Sequence, residues 1–167
     1  VKGAAASVFR VGFVRDRFRD LEAPAASRKK DVVLMATVSS FEGLQPPTRS
    51  ELRQFAELFT PLFVASSDDA KRQAVAALSQ CAAIPQAVAL FIGCQPIAIS
   101  APFLISSPAI DDDTLITVAR TQGVEHMRAI VSRDALSPRV IDVLVGLRHA
   151  APKRQVETIE PAPTVDR

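Results

Sequence analysis

A repeating pattern of apolar and polar positions between Thr48 and Leu147 predicts a series of α-helices. The clearest helix begins at Thr-Arg-Ser-Glu (48–51), which has the spacing of a capping box. The apolar face that follows has helical spacing and consists of Leu52, Phe55, Ala56, Phe59, Leu62 and Phe63. Pro61 has no backbone N–H, so we expect it to kink or end this helix near its last turn.

Residues that start or stop helices divide the rest of this region into short segments. These boundary residues are Ser66 or Ser67, Pro85, Pro96, Asp111, Gly123 and the pair Ser137-Pro138. We therefore expect about six or seven helices of roughly 10–15 residues between residues 48 and 148. Helices of this length with short connections favour an all-α fold, either helical hairpins stacked as a short solenoid or a compact multi-helix bundle.

The N-terminal residues have a different composition. Residues 1–22 have the apolar spacing of an amphipathic helix with many arginines, and residues 23–30 (APAASRKK) have the composition of a linker. The pattern from Val32 to Val38 fits either a strand or a helix. The predicted organisation is a basic leader and linker (1–30), a helical domain (31–148) and a disordered tail with mixed charge and no periodicity (149–167).

The segment between Arg72 and Asp111 contains no charged residue, and its central part, Ile84 to Ile105, has the length of a membrane span. Prolines and polar residues interrupt it, and neither end has an aromatic belt or basic anchors. We therefore expect no membrane span. We expect instead two central helices with neighbours on most sides, and the alternative is an apolar surface for a partner.

Charge and composition exclude little. The net charge of +2 does not by itself indicate nucleic-acid binding, although residues 1–30 hold eight Lys/Arg against three acids. The chain has no Trp or Tyr, which disfavours sites built on those side chains. Two cysteines are too few for a disulfide framework and indicate the cytoplasm. Because the chain begins at Val1, we expect it to be a fragment or a processed form.

The sequence contains none of the motifs that would identify an enzyme or a metal site. It has no HExxH, no CxxC, no glycine-rich phosphate loop and no GxSxG elbow, so we predict neither a cofactor nor a catalytic residue. Asp111-Asp112-Asp113 lacks the alternating ligand spacing of a calcium loop, and helix capping explains it. We therefore expect no metal site.

One polar group remains as a candidate binding patch, formed by His126, Arg128 and Arg133 together with the apolar Phe103. Helical spacing places His126 and Arg133 near one side of a helix, where they could bind an anion or a partner. The alternative is structural: His126 bonds a neighbouring loop carbonyl, and Arg133 satisfies the last carbonyls of a helix.

Residues 31 to 147 resemble a bacterial family of unknown function, DUF2336. The resemblance is carried by four stretches: ATVSSFEGL, LRQFAELFTPLF, RQAVAALSQCAAIPQAVALFIGCQPIAISAPFLI and GVEHMRAIVSRDALSP. The matching motif residues are Pro102, His126, Ile130, Arg133 and Leu136. The resemblance implies a helical, HEAT-like fold in the cytoplasm and supplies no activity, substrate or cofactor.

These observations favour a protein-interaction or scaffold domain, because stacked helical hairpins form extended binding surfaces. Its partner is expected to be another protein or a second copy of the chain as a homodimer. Nucleic-acid binding through the leader and a basic face is an alternative, and the charge balance makes it the weaker one. That basic face would consist of Arg128, Arg133, Arg139 and Arg148. An enzyme with an unrecognised site is the third hypothesis.

Overall fold

The structure, a computed structural model, describes residues 12–44 and 46–150 of the chain, with side chains from Ala25 onward. In this part of the chain it has eight helices and no strand, so the all-α prediction is confirmed. The helices are α1 (Gly12–Glu42), α2 (Arg49–Ala65), α3 (Asp68–Leu78), α4 (Gln86–Gly93), α5 (Ile97–Ser106), α6 (Asp112–Thr121), α7 (Val124–Val131) and α8 (Pro138–Ala150). Seven of them, α2 to α8, fall in the region where six or seven were expected.

The helices stack in two layers. The helices α1, α3, α5 and α7 each contact the next in one layer, and α2, α4, α6 and α8 do so in the other. The pairs α1–α2, α4–α5 and α6–α7 connect the layers. Each helix therefore packs mainly against close neighbours in the sequence, as in a short solenoid or a multi-helix bundle. The pair α1–α2 lies at one end of the stack and the pair α7–α8 at the other.

Local signals in the sequence set the helix starts. Thr48 and Glu51 form the predicted capping box: the Thr48 N–H donates to Glu51 Oε2 at 2.7 Å, and the Glu51 N–H donates to Thr48 Oγ1 at 3.3 Å. Ser67 caps α3, and Asp111 caps α6 by accepting from the Thr114 N–H at 2.8 Å. These side chains satisfy backbone donors that have no partner within the helix.

The N-terminal region forms one helix, α1, which includes residues that were expected to be a linker. The ambiguous segment Val32–Val38 is helical, and its Leu34 and Val38 are buried. Residues 23–30, predicted as a linker, lie within α1, so that prediction is wrong. The prediction relied on a proline and small residues, but alanine, lysine and arginine are strong helix formers. The leader residues 1–11 and the tail residues 151–167 lie outside the described residues, and the division into domains stays a prediction.

Phenylalanine side chains connect the two layers at the N-terminal end of the stack. The rings of Phe41 in α1 and Phe55 in α2 are stacked with centroids 4.0 Å apart, and the series continues through Phe59 and Phe63. Phe91 in α4 meets the Phe63 ring edge-on at 5.4 Å. The edge-on contact of Phe91 with Phe63 is an arrangement that aromatic rings prefer. The helical spacing of the α2 phenylalanines thus produces a continuous aromatic core.

The charge-free segment forms the middle of the stack. Its helices α4 and α5 each have neighbours on both sides within their layers, and α4 also packs against α5. Among its large apolar residues only Ile105 is substantially exposed. The expectation that these helices are central and buried is confirmed. No helix in the described part of the chain is both long enough and apolar enough to cross a membrane.

Gly93 allows α4 and α6 to approach closely. A Cβ atom at this position would lie 2.8 Å from Val118 Cγ2, and valine cannot move that methyl group easily because its χ1 angle is restricted. We expect Gly93→Ala to lower the free energy of unfolding by about 1–3 kcal/mol, the usual cost of overpacking. Urea denaturation followed by circular dichroism measures this change.

Gly146 in α8 is the matched control, because a Cβ atom there would meet no atom within 4 Å. Alanine favours a helix interior more than glycine does, so Gly146→Ala is expected to stabilise the chain by up to about 1 kcal/mol. A Gly93→Ala variant that is as stable as the wild type, or more stable, would contradict the close contact at Gly93.

Asp31 connects α1 to the beginning of α3. Its carboxylate accepts hydrogen bonds from the Ser67 N–H and the Ser67 hydroxyl, both at 2.8 Å. These two bonds, the backbone one first, lower the pKa of Asp31 below its ordinary value of 3.8 against a smaller opposing effect of burial. Because the pKa is lowered in the folded state, the bonds stabilise the chain at every pH above the unfolded-state pKa. This stability is lost as the pH falls through the folded-state pKa.

We therefore expect Asp31→Asn to unfold at a lower urea concentration than the wild type at about pH 6. The gap between the two midpoints is expected to close as the pH falls through the lowered folded-state pKa of Asp31, because the carboxylate then becomes protonated. The measurement is a pair of urea titrations at each pH. A gap that stays constant with pH would show that the Asp31 charge contributes nothing.

Candidate functional site

His126 lies in the first turn of α7 and is 8% exposed. Its Nε2 atom lies 2.8 Å from the carbonyl oxygen of Gln95, in the connection between α4 and α5. Because a carbonyl oxygen only accepts, Nε2 carries the proton in this contact. His126 therefore fixes the segment that leads into α5, as the structural alternative from the sequence predicted.

Arg133 follows α7 and binds the other end of α5. Its Nη1 donates to the carbonyl oxygen of Leu104 at 2.7 Å and its Nη2 to that of Ser107 at 2.8 Å. The last carbonyls of a helix have no partner within it, and the two guanidinium nitrogens supply one for each of these. Burial lowers the pKa of Arg133, and the Asp112 carboxylate opposes that shift.

The two residues therefore hold α5 at both ends from the same neighbouring segment. Ile130 lies between them in the sequence and is fully buried. Phe103 is also fully buried, in α5, so it belongs to the core and its assignment to a surface patch is wrong. Helical spacing alone could not distinguish these positions, because α5 has apolar residues on almost every side.

Arg128 is the member of the candidate patch that lies on the surface. Its guanidinium donates to the Glu125 carboxylate at 2.9 Å, and both side chains are mostly exposed. Arg139 forms a similar exposed pair with Asp113 at 2.8 Å. Arg133 is bound inside the stack, and Arg128 and Arg139 are paired with carboxylates. Of the suggested basic face, Arg148 is the member that has no ionic partner among the described residues.

The two cysteines are half-buried and not bonded to each other. Burial, and to a lesser extent the Glu42 carboxylate, raises the pKa of Cys81 above its ordinary value. A thiol with a raised pKa stays protonated near neutral pH, and the protonated form is the poorer nucleophile. Within residues 25–44 and 46–150, no group of three or more His, Cys, Asp and Glu side chains is arranged to hold a metal ion.

Apolar grooves lie at both ends of the stack. The α1–α2 groove, of about 500 Å³, is lined by Val32, Val33, Ala36, Thr37, Ser40, Phe41, Leu44, Glu51, Gln54, Phe55 and Leu58. The α7–α8 groove, of about 580 Å³, is lined by Val124, Met127, Arg128, Val131, Ser132, Leu144 and Arg148. Arg128 and Arg148 therefore border an apolar surface, and the candidate patch meets that groove at Arg128.

Exposed apolar side chains concentrate at the same two ends. Of the ten large hydrophobic residues that are exposed in the described part of the chain, nine belong to α1, α2, α7, α8 or the loop after α1. The tenth is Ile105. Solenoid proteins normally cover their ends with polar surfaces, so this distribution departs from an isolated, capped stack.

A run of three consecutive apolar residues in the sequence indicates the α1–α2 groove. Periodicity alone does not reveal it, because periodicity identifies only one buried face of a helix. Val32, Val33 and Leu34 are consecutive, and three consecutive positions of a helix cannot all face one neighbour. Leu34 is fully buried, whereas Val32 is 68% and Val33 is 49% exposed. An apolar run longer than the core face of its helix therefore indicates a second contact surface.

Comparison with known proteins gives one result. Residues 99–156 match the model of a family described as an uncharacterised protein conserved in bacteria, DUF2336. This match begins in α5 and includes α6 to α8, whereas the resemblance seen in the sequence began at residue 31. No curated protein and no solved structure shows significant similarity to the chain. The predicted resemblance to this family is thus confirmed over residues 99–156.

Proposed function

We propose that this chain is a protein-interaction domain of the HEAT-like helical-hairpin type, which binds through the apolar ends of its helix stack. The supporting observation is the location of nine of the ten exposed large hydrophobic residues at those ends. Large exposed apolar patches on a folded domain mark contact surfaces. The two grooves are concave apolar surfaces of this kind, and an amphipathic helix could bind in each of them.

The polar motif residues support the same proposal by having structural partners. His126 and Arg133 use their ring and guanidinium nitrogens on main-chain carbonyls of α5 and its flanking loop. A side chain in such contacts is not available to a substrate unless the contacts break. An enzymatic role for His126 therefore has little support, and the raised pKa of Cys81 offers no activated nucleophile in its place.

Nucleic-acid binding has less support than protein binding. A phosphate-binding surface needs several cationic side chains directed outward along a face. Arg133 is directed into the stack, and Arg128 and Arg139 each have a carboxylate beside them.

The proposed compartment is the cytoplasm, because both cysteines are free thiols.

Affinity purification with amine-reactive crosslinking from the source bacterium tests the proposal. The baits are the wild-type chain, Leu58→Glu in the α1–α2 groove, Val131→Glu in the α7–α8 groove, and Arg120→Glu as a control on an inner helix. A specific partner is expected with the wild type and the control, and its yield is expected to fall at least about tenfold with one of the groove variants, as a buried unpaired charge requires.

The changed side chains are exposed, so all variants are expected to keep the wild-type circular dichroism spectrum. Crosslinks to a partner are expected from Lys29 or Lys30, beside the α1–α2 groove, if that end binds. Equal recovery of the same partner by all four baits would contradict the proposal.

A further inference from the structure

The occupant of the α1–α2 groove can be inferred from its lining and its charges. The groove is formed by two antiparallel helices at the end of the stack, and no other helix of the described chain covers it. Its most exposed apolar members are Val32, Val33 and Leu58. A groove between two helices accepts a third helix laid along it, which must present an apolar or small face.

The outward face of α1 fulfils that requirement. Val33, Ala36 and Ser40 follow one another at helical spacing and are all exposed. Ala36 and Ser40 are small, so another helix can approach their backbone closely. The helix α1 therefore forms one wall of the groove in its own copy. It also presents a face of the right size to fill the groove of another copy. A second copy of the chain would bring that face without any additional protein.

The charges of the groove indicate the direction of the second copy. The exposed Lys29 lies in α1 one turn before Val32 and Val33, just beyond the lining at that end of the groove. The Glu51 carboxylate lines the groove at the other end. Like Lys29, Arg49 and Arg53 lie outside the lining of the groove, and Glu51 is the charged side chain within that lining. If the second α1 is antiparallel, Lys29 of each copy lies towards Glu51 of the other copy. If it is parallel, Lys29 lies beside Lys29 and Glu51 beside Glu51, so like charges repel.

We propose that two copies of this chain associate through the α1–α2 groove, with the two α1 helices antiparallel and Ala36 near the two-fold axis. Such an interface is isologous, so the Lys29–Glu51 pair occurs twice. A contact surface that is two helices wide and as long as α2 buries about 500 Å² on each copy, or about 1,000 Å² in total. Interfaces of about this size belong to weak and reversible complexes, so the dimer is expected to dissociate in the micromolar range.

This inference rests on the proposed function and narrows the partner of one groove to the chain itself. Sedimentation equilibrium of the full chain, from about 1 to about 200 µM, tests it around the expected dissociation constant. The wild-type average mass is expected to rise from monomer to dimer across this range. Val33→Glu is expected to weaken association about 100-fold, because the two-fold axis places two charges in the apolar interface.

Val64→Glu is the matched control. Val64 is 65% exposed on α2 but does not line the groove, so this variant is expected to associate within about twofold of the wild type. Disulfide trapping tests the direction. Ala36→Cys is expected to link two copies under mild oxidation, whereas Lys29→Cys is not, since only residues near the axis of an antiparallel pair meet their own copy. The wild type controls for links through Cys81 and Cys94.

The inference is overturned if the wild type stays monomeric at about 200 µM, well above the expected dissociation constant. It is also overturned if Val33→Glu dimerises as the wild type does, or if Lys29→Cys links as efficiently as Ala36→Cys. A monomeric wild type whose Leu58→Glu variant still loses a captured protein would overturn the second-copy inference and leave the proposed function standing.

Discussion

Phe103→Asp is expected to leave the chain unfolded in buffer at room temperature. Phe103 is fully buried in α5, an inner helix of its layer. Removing a buried phenylalanine costs about 3–5 kcal/mol, and burying an unpaired carboxylate adds several more. That sum is comparable with the whole stability of an ordinary domain, about 5–15 kcal/mol. Circular dichroism and a thermal scan measure the outcome.

Ile105→Asp is the control for this prediction. Ile105 lies two positions further along the same helix and is 39% exposed. Its new carboxylate can reach water, so we expect a loss of only about 1 kcal/mol. A Phe103→Asp chain that melts cooperatively near the wild-type temperature would show that Phe103 is not in the core.

Arg133→Ala is expected to lower the free energy of unfolding by about 2–4 kcal/mol, because hydrogen bonds to a charged donor contribute about 1.5–3 kcal/mol each and their loss leaves acceptors unpaired. Two carbonyls lose their donor at once, those of Leu104 and Ser107. Arg133→Lys keeps the charge but cannot make both bonds in the same fork geometry, so we expect about half of that loss. Urea denaturation measures both variants.

Arg128→Ala provides the comparison on the same segment. Its pair with Glu125 is exposed, and exposed ion pairs contribute only about 0–1 kcal/mol. Hydrogen exchange adds a local readout, since the amides of α5 are expected to lose protection in Arg133→Ala and not in Arg128→Ala. A stability change below about 0.5 kcal/mol for Arg133→Ala would contradict its role in holding α5.

The features that the sequence predicted well depend on residues close together in the chain. The capping box at Thr48 and Glu51 and the cap at Asp111 involve side chains three positions from their backbone partners. The phenylalanines of α2 were predicted to share a face because they are separated by one helical turn. Helix number and the all-α class follow from such local signals.

The features that the sequence did not reveal depend on partners far apart in the chain. Arg133 was expected to close some helix, but only the packing of α7 against α5 shows which carbonyls it binds, 26 and 29 residues away. The bond between Asp31 and Ser67 spans 36 residues and was not predicted. The grooves were missed for the same reason: periodicity identifies one buried face of a helix, whereas a groove is shaped by the outer edges of two.

The central claim is that the apolar ends of the stack bind protein while His126 and Arg133 maintain the fold. Measuring capture yield and unfolding midpoint together for Leu58→Glu and Arg133→Lys tests it most directly, at a temperature where both are folded. We expect Leu58→Glu to keep wild-type stability and lose capture, and Arg133→Lys to lose stability and keep capture. The reverse result, with capture lost in folded Arg133→Lys and kept in Leu58→Glu, would contradict the claim and assign function to the polar motif.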